Sequence, residues 1–309
     1  MLADRIAWLG LVSNDVSGAA RVFEEHFQLP RKDLASPAGK VPVFALGKAA
    51  LALFEPGHPL CDCETKTGVH HIALAAPDMA ASVAKASAAG LTVVGEAAGL
   101  GGGAVRRLGR EARTGVCLML ATPLALSAHA PGALERIDHI GIASTDVRED
   151  EAVFAGKLGF EVESRQTDME VTTTVESFTS DRYGVIYHSR APVLGGGLRV
   201  TFITVGDCEL EFLANFDPRQ KGEVEKGTAG TTKQDQGAIA RFVASRGRGL
   251  HHMALKTPDI DALLGRMAKA GVPMIDTVGR PGSRRAKIGF PHPKALGGVL
   301  MHLVQRDPV

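Results

Sequence analysis

Four short stretches of this chain repeat one pattern, which makes the chain a tandem of duplicated units. The segments RIAWLGL (5–11) and RIDHIGI (136–142) nearly coincide, and so do GVHHIAL (68–74) and GLHHMAL (249–255). A supersecondary unit that recurs in this way buries its apolar face against its copies. Within these segments, the two halves differ at one ligand-type position, where the first half has Trp8 and the second has His139. We expect function to concentrate at such differences.

Each repeat predicts the same βαβββ unit. A short apolar strand is followed by an aspartate that caps a helix, and further β-rich runs complete the unit. The capping aspartates are Asp15, Asp78, Asp146 and Asp259. The units occupy roughly residues 5–56, 68–122, 136–216 and 249–306. The sequence therefore predicts an α+β fold of four βαβββ modules, with an Ala- and Pro-rich linker at 123–134 between the two halves.

Composition sets the class of protein. A chain of 309 residues is long enough for two ordinary domains, and we place them at residues 1–125 and 135–309. A net charge of +1 gives no general attraction to nucleic acid or to an acidic membrane. No apolar run approaches the about 18 residues of a membrane span, and no signal peptide is visible, so a cytoplasmic protein is expected. The four cysteines (Cys61, Cys63, Cys117 and Cys208) are predicted to be reduced and non-ligating.

Two long polar stretches in the second half are predicted to cover an active site. The third unit carries an insertion around 165–197, and a second polar stretch, 217–236, precedes a short helix near 238–245. Long loops in compact domains are often lids. The insertion holds both tyrosines of the chain, and Tyr187 and His188 are candidates there for moving a proton to or from a substrate.

The four strands that precede helices, together with the two His-His pairs, resemble the vicinal oxygen chelate (glyoxalase/bleomycin resistance/dioxygenase) superfamily. The likeness is strongest to methylmalonyl-CoA epimerases, from about residue 237 to 305, through GLHHMAL (249–255), AKIGFPHPK (286–294) and GVLMHL (298–303). It extends to IDHIGIA (137–143) and VGDCELEFL (205–213). The resemblance implies that the four modules pair into two glyoxalase-like domains around a divalent metal ion.

Matched motif by motif, the resemblance implies four metal ligands. They are His139, Glu211, His252 and His302, the last standing where the family normally has a glutamate. The repeats support this set, because His139 and His252 occupy equivalent positions on duplicated strands, and Glu211 and His302 are equivalent near the ends of their units. Imidazoles with one carboxylate suit Zn, Fe, Mn, Co or Ni, and we expect one such ion per chain.

The same alignment gives a degenerate site in the first half. The equivalent positions there hold Trp8, Ala52, His71 and Met119. Three of these four are not ordinary ligands of such metals. Residues 1–125 are therefore predicted to be a glyoxalase-like domain without a full metal site, and His71 to be a structural residue.

The resemblance also implies partners. His292 and Lys294, in the Pro-His-Pro-Lys turn, are implied to contact a thioester or coenzyme A arm of a small-molecule substrate; the alternative is that they are ordinary loop residues. No nucleic-acid or membrane partner is expected. A homodimer is left open, because four modules can close both cups within one chain.

Two kinds of reaction compete. Metal-stabilised enolate chemistry on a carbonyl, 2-oxo or acyl-CoA substrate predicts an isomerase, epimerase or lyase, with His302, Glu211, Tyr187 and His188 as candidate catalytic residues. Val200 stands where the epimerase resemblance expects a carboxylate, so two-base epimerisation is disfavoured. The alternative is an iron-dependent dioxygenase of the ring-cleaving or 4-hydroxyphenylpyruvate dioxygenase-like type, since those proteins also keep their metal in the C-terminal pair of modules. A non-catalytic small-molecule-binding protein ranks last.

Overall fold

Two eight-stranded sheets, one in each half of the chain, form the framework of this protein. The computed structural model describes residues 1–62, 64–109, 114–130, 132–215 and 237–306. Cys63 and the polar stretch 217–236 lie outside the described residues. Cys61, Cys117 and Cys208 are buried and take no part in a disulfide among the described residues.

The first sheet has the strand order β2-β3-β4-β1-β5-β8-β7-β6. Its strands are β1 (Ile6–Val12), β2 (Arg31–Ser36), β3 (Gly39–Leu46), β4 (Ala49–Phe54), β5 (Gly68–Ala75), β6 (Val93–Ala98), β7 (Ala104–Leu108) and β8 (Leu118–Ala121).

The second sheet has the order β10-β13-β14-β9-β15-β18-β17-β16. Its strands are β9 (Arg136–Ala143), β10 (Glu161–Thr172), β13 (Val193–Val205), β14 (Cys208–Asn215), β15 (Gly249–Lys256), β16 (Arg280–Pro281), β17 (Lys287–Gly289) and β18 (Met301–Gln305). Strands β11 (Val175–Ser180) and β12 (Gly184–Ser189) form a separate hairpin.

The two sheets are built in the same way. In each, the first strands of two βαβββ modules pair antiparallel (β1 with β5, β9 with β15), and each of these four strands pairs parallel with the last strand of its own module. The predicted α+β architecture of four βαβββ modules in two pairs is confirmed. The assignment of residues 1–125 and 135–309 to separate domains stays a prediction.

Aspartate caps begin the module helices where the sequence predicts them. Asp15, Asp78, Asp146 and Asp259 each accept a hydrogen bond from a backbone N–H of the first turn, which satisfies one of the open donors there. The helices are α1 (Val16–Arg21), α2 (Met79–Ala88), α3 (Val147–Glu151), α4 (Ala238–Arg246) and α5 (Ile260–Lys269), and π-helical turns at Val22–His26 and Ala152–Lys157 continue α1 and α3. None of the helices in the described part of the chain has the length and apolar character needed to span a bilayer.

One hydrophobic core joins the helix-covered faces of both sheets. It contains Leu9 and Leu51 of the first sheet, Ile140 and Phe212 of the second, and Leu264 of α5. Full burial of such a side chain stabilises the fold by about 1.5–3 kcal/mol. The helix-free faces differ between the halves. That of the first sheet is filled by a separate apolar cluster, whereas that of the second carries small apolar clusters on either side of a polar centre.

The insertion predicted around 165–197 becomes two lengthened strands and a hairpin. Strands β10 and β13 pair over most of their length, and beyond them β11 and β12 pair only with each other. Every residue of β12 is exposed.

Candidate metal centre

The four predicted ligands lie on four neighbouring strands in the middle of the second sheet. His139 is on β9, Glu211 on β14, His252 on β15 and His302 on β18. Glu211 and His252 both pair with Gly141 from opposite sides, two residues beyond His139. Because alternate residues of a strand share a face, His139 points to the same side as the groups that flank Gly141. The register therefore brings the predicted set together.

The side-chain distances agree with a metal site. One nitrogen from each of His139, His252 and His302 lies within 4.8 Å of the other two. Oε2 of Glu211 lies 3.3 Å from Nε2 of His139 and 3.4 Å from Nε2 of His252. Ligand atoms about 2 Å from a common ion are separated by distances of this order. All four side chains are buried.

The absence of a side chain at Gly141 makes room for the His252 ring. A Cβ built on Gly141 would lie 2.0 Å from Cε1 of His252, which is far inside van der Waals contact. The first half repeats this close approach, since a Cβ on Gly10 would lie 2.1 Å from Cε1 of His71. Both halves therefore place a histidine ring directly against a glycine of the neighbouring strand.

Burial and mutual contact set the charge of the centre. Burial raises the pKa of Glu211, but His139 and His252 outweigh it and lower that pKa to about 2, so the carboxylate is ionised at neutral pH. Burial lowers the pKa of His252 and, more strongly, that of His302, so both imidazoles are neutral. Within the described part of the chain, Nε2 of His252 and Nδ1 of His302 are buried without a hydrogen-bond partner. Two unpartnered imidazole nitrogens beside an ionised carboxylate fit a divalent cation.

Two of the histidines are held from behind by their chain neighbours. His139 donates from Nδ1 to Oδ2 of Asp138 at 2.9 Å. The Nδ1 atoms of His251 and His252 lie 2.9 Å apart and share a hydrogen bond. Burial and the neighbouring His252 lower the pKa of His251 to about 3, so His251 is neutral. Partners of this kind orient metal-binding imidazoles in proteins.

A cavity of about 110 Å³ opens over the four side chains. Its wall is largely apolar and includes two aromatic rings, and its remaining polar residues are Ser283 and Arg306. The apolar lining residues are Phe202, Leu213, Ala286, Ile288, Phe290 and Val304. This space is smaller than a typical ligand pocket, so the larger part of a cofactor-sized ligand would lie outside it.

The equivalent positions of the first half form a closed, hydrogen-bonded group. Trp8 donates from its indole nitrogen to Nε2 of His71 at 3.1 Å, and Nδ1 of His71 lies 2.9 Å from Nδ1 of His70. Ala52 and Met119 pack beside Trp8 in the apolar cluster of that sheet. Cys61 lies near both histidines. However, His71 accepts at Nε2 and therefore carries its proton on Nδ1, so neither nitrogen is open to an ion.

The structure does not bring the other predicted residues to this cavity. Tyr187 and His188 lie on the exposed β12, where Tyr187 is 71% exposed and His188 packs edge-on against Phe178. His292 accepts the backbone N–H of Lys294 and so caps the turn Pro293–Leu296, and Lys294 is exposed. None of the four lines the cavity over the metal-type residues. Their roles stay predictions.

Sequence reasoning missed three residues of the site. Asp138 is buried beside His139, Arg306 lines the cavity and pairs with Asp138, and Phe290 stacks 4.7 Å from the ring of His302. Asp138 is visible in the repeat, because the equivalent residue of the first half is Ala7. The other two leave no comparable pattern in the sequence.

A family model matches the second half of this chain, and curated relatives match part of it. Residues 138–290 match the Glyoxalase/Bleomycin resistance protein/Dioxygenase superfamily. The uncharacterized protein YqjC of Bacillus subtilis is 23% identical over 172 residues, which cover 56% of this chain and 93% of that protein. Mitochondrial methylmalonyl-CoA epimerase of Mus musculus is 25% identical over 131 residues, covering 42% of this chain and 64% of the enzyme.

A solved structure resembles the whole chain. A mutant of 4-hydroxymandelate synthase from Streptomyces coelicolor matches it with a TM-score of 0.64 at 14% sequence identity, covering 100% of this chain and 94% of the other. At this identity the likeness concerns the fold alone. It agrees with the arrangement of four modules in two paired sheets.

Proposed function

Since residues 138–290 belong to the glyoxalase/bleomycin resistance protein/dioxygenase superfamily, we propose that this chain is a metal-dependent enzyme that acts on a carbonyl, 2-oxo or acyl-CoA substrate by enolate chemistry. The reaction class is an isomerisation, epimerisation or lyase reaction. One observation carries the proposal. One nitrogen from each of three buried imidazoles converges with an ionised carboxylate beside a cavity.

His139, Glu211, His252 and His302 would hold one divalent ion. Nitrogen ligands with a single carboxylate suit Zn, Fe, Mn, Co or Ni rather than Mg or Ca. When bound, such an ion acts as a Lewis acid that lowers the cost of removing a proton next to a carbonyl group. All four side chains come from one chain, so the site needs no residue of a second subunit, and a homodimer stays a prediction.

The charge of the ligand set favours an anionic substrate. Two of the imidazoles, His252 and His302, are neutral, and Glu211 supplies the one negative charge among the four side chains. A divalent ion would therefore leave a net positive centre in an apolar cavity, where charge interactions are stronger than in water. An oxygen anion, such as the carboxylate of a 2-oxo acid or an enolate, would neutralise it.

Proton transfer is proposed for residues of the cavity rather than for the hairpin. In the described cavity lining, Glu211 is the one carboxylate and His302 is the imidazole farthest along the sheet from it. The low pKa of Glu211 suits a ligand better than a general base, so His302 would move the proton in place of Glu211 if the ion is held by the other three residues. Val200 is buried and apolar, which leaves no second carboxylate for a two-base epimerisation at that position.

A coenzyme A arm is proposed to run past the turn Pro293–Leu296. This turn follows Phe290, whose ring lies in the cavity wall, so His292 and Lys294 stand close in sequence to the cavity entrance. The exposed ammonium group of Lys294 suits a phosphate. Two relatives are named methylmalonyl-CoA epimerases, which supports a thioester substrate.

The alternative function is an iron-dependent dioxygenase. The likeness to 4-hydroxymandelate synthase supports this alternative, since it covers 100% of this chain and 94% of that one. A ligand set with three imidazoles differs from the two-histidine, one-carboxylate triad typical of non-haem iron oxygenases. We therefore rank it second.

The experiment that separates these readings uses metal-loaded protein in deuterium oxide. Methylmalonyl-CoA and 2-oxobutyrate are the proton-transfer probes and catechol is the ring-cleavage probe, each with Zn²⁺-, Co²⁺- and anaerobically prepared Fe²⁺-loaded protein. Deuterium in recovered substrate without oxygen uptake supports the proposal. Oxygen uptake with Fe²⁺ replaces it with the dioxygenase. Ligand binding without either outcome for any probe supports a binding protein, and His252→Ala serves as the metal-site control.

A further inference from the structure

Asp138 is a fully buried carboxylate with an unusual number of partners. It accepts from Nδ1 of His139 at 2.9 Å, from Nε and Nη2 of Arg306, with the Nε contact at 3.0 Å, and from Nη2 of Arg136 at 3.1 Å. The guanidinium groups of Arg136 and Arg306 form ion pairs with Asp138 and favour its charged form. The group is therefore an anion that can only accept hydrogen bonds.

A break in strand register lets adjacent side chains meet. In a regular strand, Asp138 and His139 would point to opposite faces of the sheet. Here His139 pairs with Ala254 and Ile137 with Leu255, so Asp138 is the extra residue of a β-bulge. The bulge turns the carboxylate towards the back of the imidazole.

The first half has the same bulge without the carboxylate. Its register shifts between Ile6 and Trp8, and the residue at the bulge is Ala7. The bulge therefore forms with an alanine at this position and does not require the carboxylate. The carboxylate occurs only in the half that also has the metal-type histidine. By contrast, the pair formed by His251 and His252 recurs as His70 and His71 in the half without the other ligands.

The contacts of His139 indicate how the Asp138 carboxylate affects the position of the proton on the ring. In the neutral form that binds a metal ion, the ring has one proton for two neighbouring anions, Asp138 at Nδ1 and Glu211 at Nε2, 3.3 Å away. A proton on Nε2 would satisfy Glu211 but would block the nitrogen that faces the cavity. A proton on Nδ1 leaves the Nε2 lone pair open. The bond to Asp138 favours the second arrangement.

We propose that Asp138 is a positioning residue of the metal centre, which keeps the proton of His139 on Nδ1 and thereby keeps Nε2 open for the ion. The bond from Arg306 fixes the carboxylate and ties the metal ligand to the cavity wall, since Arg306 lines the cavity. The inference rests on the proposed metal site.

Two measurements test this role, and neither needs a substrate. Zn²⁺ affinity is measured by competition with a chromophoric chelator for the wild type, Asp138→Asn and Asp138→Ala. We expect about 10- to 100-fold weaker binding in the variants, the range found when such partners of metal ligands are removed. Asp150→Asn is the matched control, because Asp150 is also fully buried and paired with an arginine, Arg248, but touches no metal-type residue. Its Zn²⁺ affinity should equal that of the wild type.

Nitrogen-15 NMR of metal-free protein tests the tautomer itself. In the neutral ring, His139 should carry its proton on Nδ1 in the wild type and shift towards the Nε2–H form in Asp138→Ala. A wild-type Nε2–H form overturns the inference even if both variants fail to fold, and so does unchanged Zn²⁺ affinity in folded Asp138→Asn. A wild type that binds no Zn²⁺ or other divalent metal overturns the proposed function instead, while the tautomer measurement still decides the role of Asp138.

Discussion

Trp8 donates its indole N–H to Nε2 of His71 at 3.1 Å, at the positions where the second half has His139 and His252. The nitrogen that His252 leaves without a partner is the one that His71 gives to the indole. Tryptophan in place of histidine at this one position thus removes a proposed metal ligand and gives the remaining histidine a hydrogen-bond partner. Trp8, Ala52 and Met119 all belong to one buried apolar cluster, so the first-half positions form part of the hydrophobic core.

His71→Ala should therefore leave metal content unchanged and reduce stability. The substitution strands the buried indole N–H of Trp8 and opens space under it, at a cost of about 1–3 kcal/mol for the unsatisfied donor alone. Urea unfolding and metal analysis of the same preparation measure both effects. A drop in metal content would show that the first half also binds an ion.

Gly141→Ala should abolish tight metal binding. The new Cβ would lie 2.0 Å from the His252 ring and would push that ring away from the other ligands, whereas such sites tolerate displacements of only about 0.5 Å. Gly265→Ala in α5 is the control, because a Cβ there meets nothing within 4 Å. It should keep metal affinity and gain about 0.5–1 kcal/mol in the free energy of unfolding. Equal affinities in the two variants would contradict the geometry.

His302→Ala separates a ligand from an acid–base group. The buried, unpartnered Nδ1 of His302 predicts a ligand, so the alanine variant should lose at least about tenfold in Zn²⁺ affinity. His302→Glu should recover most of it, because a carboxylate can replace the imidazole. Full affinity in His302→Ala, combined with lost activity, would assign His302 to proton transfer alone.

Asp150 should make stability fall as the pH rises. Burial raises the pKa of Asp150 to about 6, although its bonds to Ser144 and Arg248 lower it, whereas the unfolded chain has an ordinary value near about 4. The folded state thus favours the protonated form. Relative to Asp150→Asn, the wild type should lose up to about 3 kcal/mol between pH about 4 and about 7. Urea titrations across that range measure the difference, and a constant or increasing difference would mean that Arg248 dominates.

The repeat pattern correctly predicted the features that depend on strand pairing and on local backbone hydrogen bonds. Matching strands in the two halves implied matching register, which carried His139, Glu211, His252 and His302 to one face of one sheet. The helix caps followed from local chemistry, since an aspartate at the right offset satisfies open N–H groups whatever the tertiary context.

The features that the sequence did not predict depend on departures from regular strand geometry and on side-chain orientation. Strand alternation places Asp138 away from His139, and only the bulge reverses this. The bond from Trp8 to His71 depends on ring orientations, which a sequence does not specify. The insertion was expected to cover the site, but its pairing leaves Tyr187 and His188 on an exposed hairpin, because β11 and β12 pair only with each other.

The most direct test is the metal content of the purified protein. Elemental analysis of the wild type, of His139→Ala combined with His252→Ala, and of His71→Ala distinguishes the two halves. One divalent ion per chain is expected in the wild type and in His71→Ala, and none in the double variant. Equal metal content in the folded double variant, or a wild type that takes up no ion when supplied with Zn²⁺, Co²⁺ or Fe²⁺, would contradict the account.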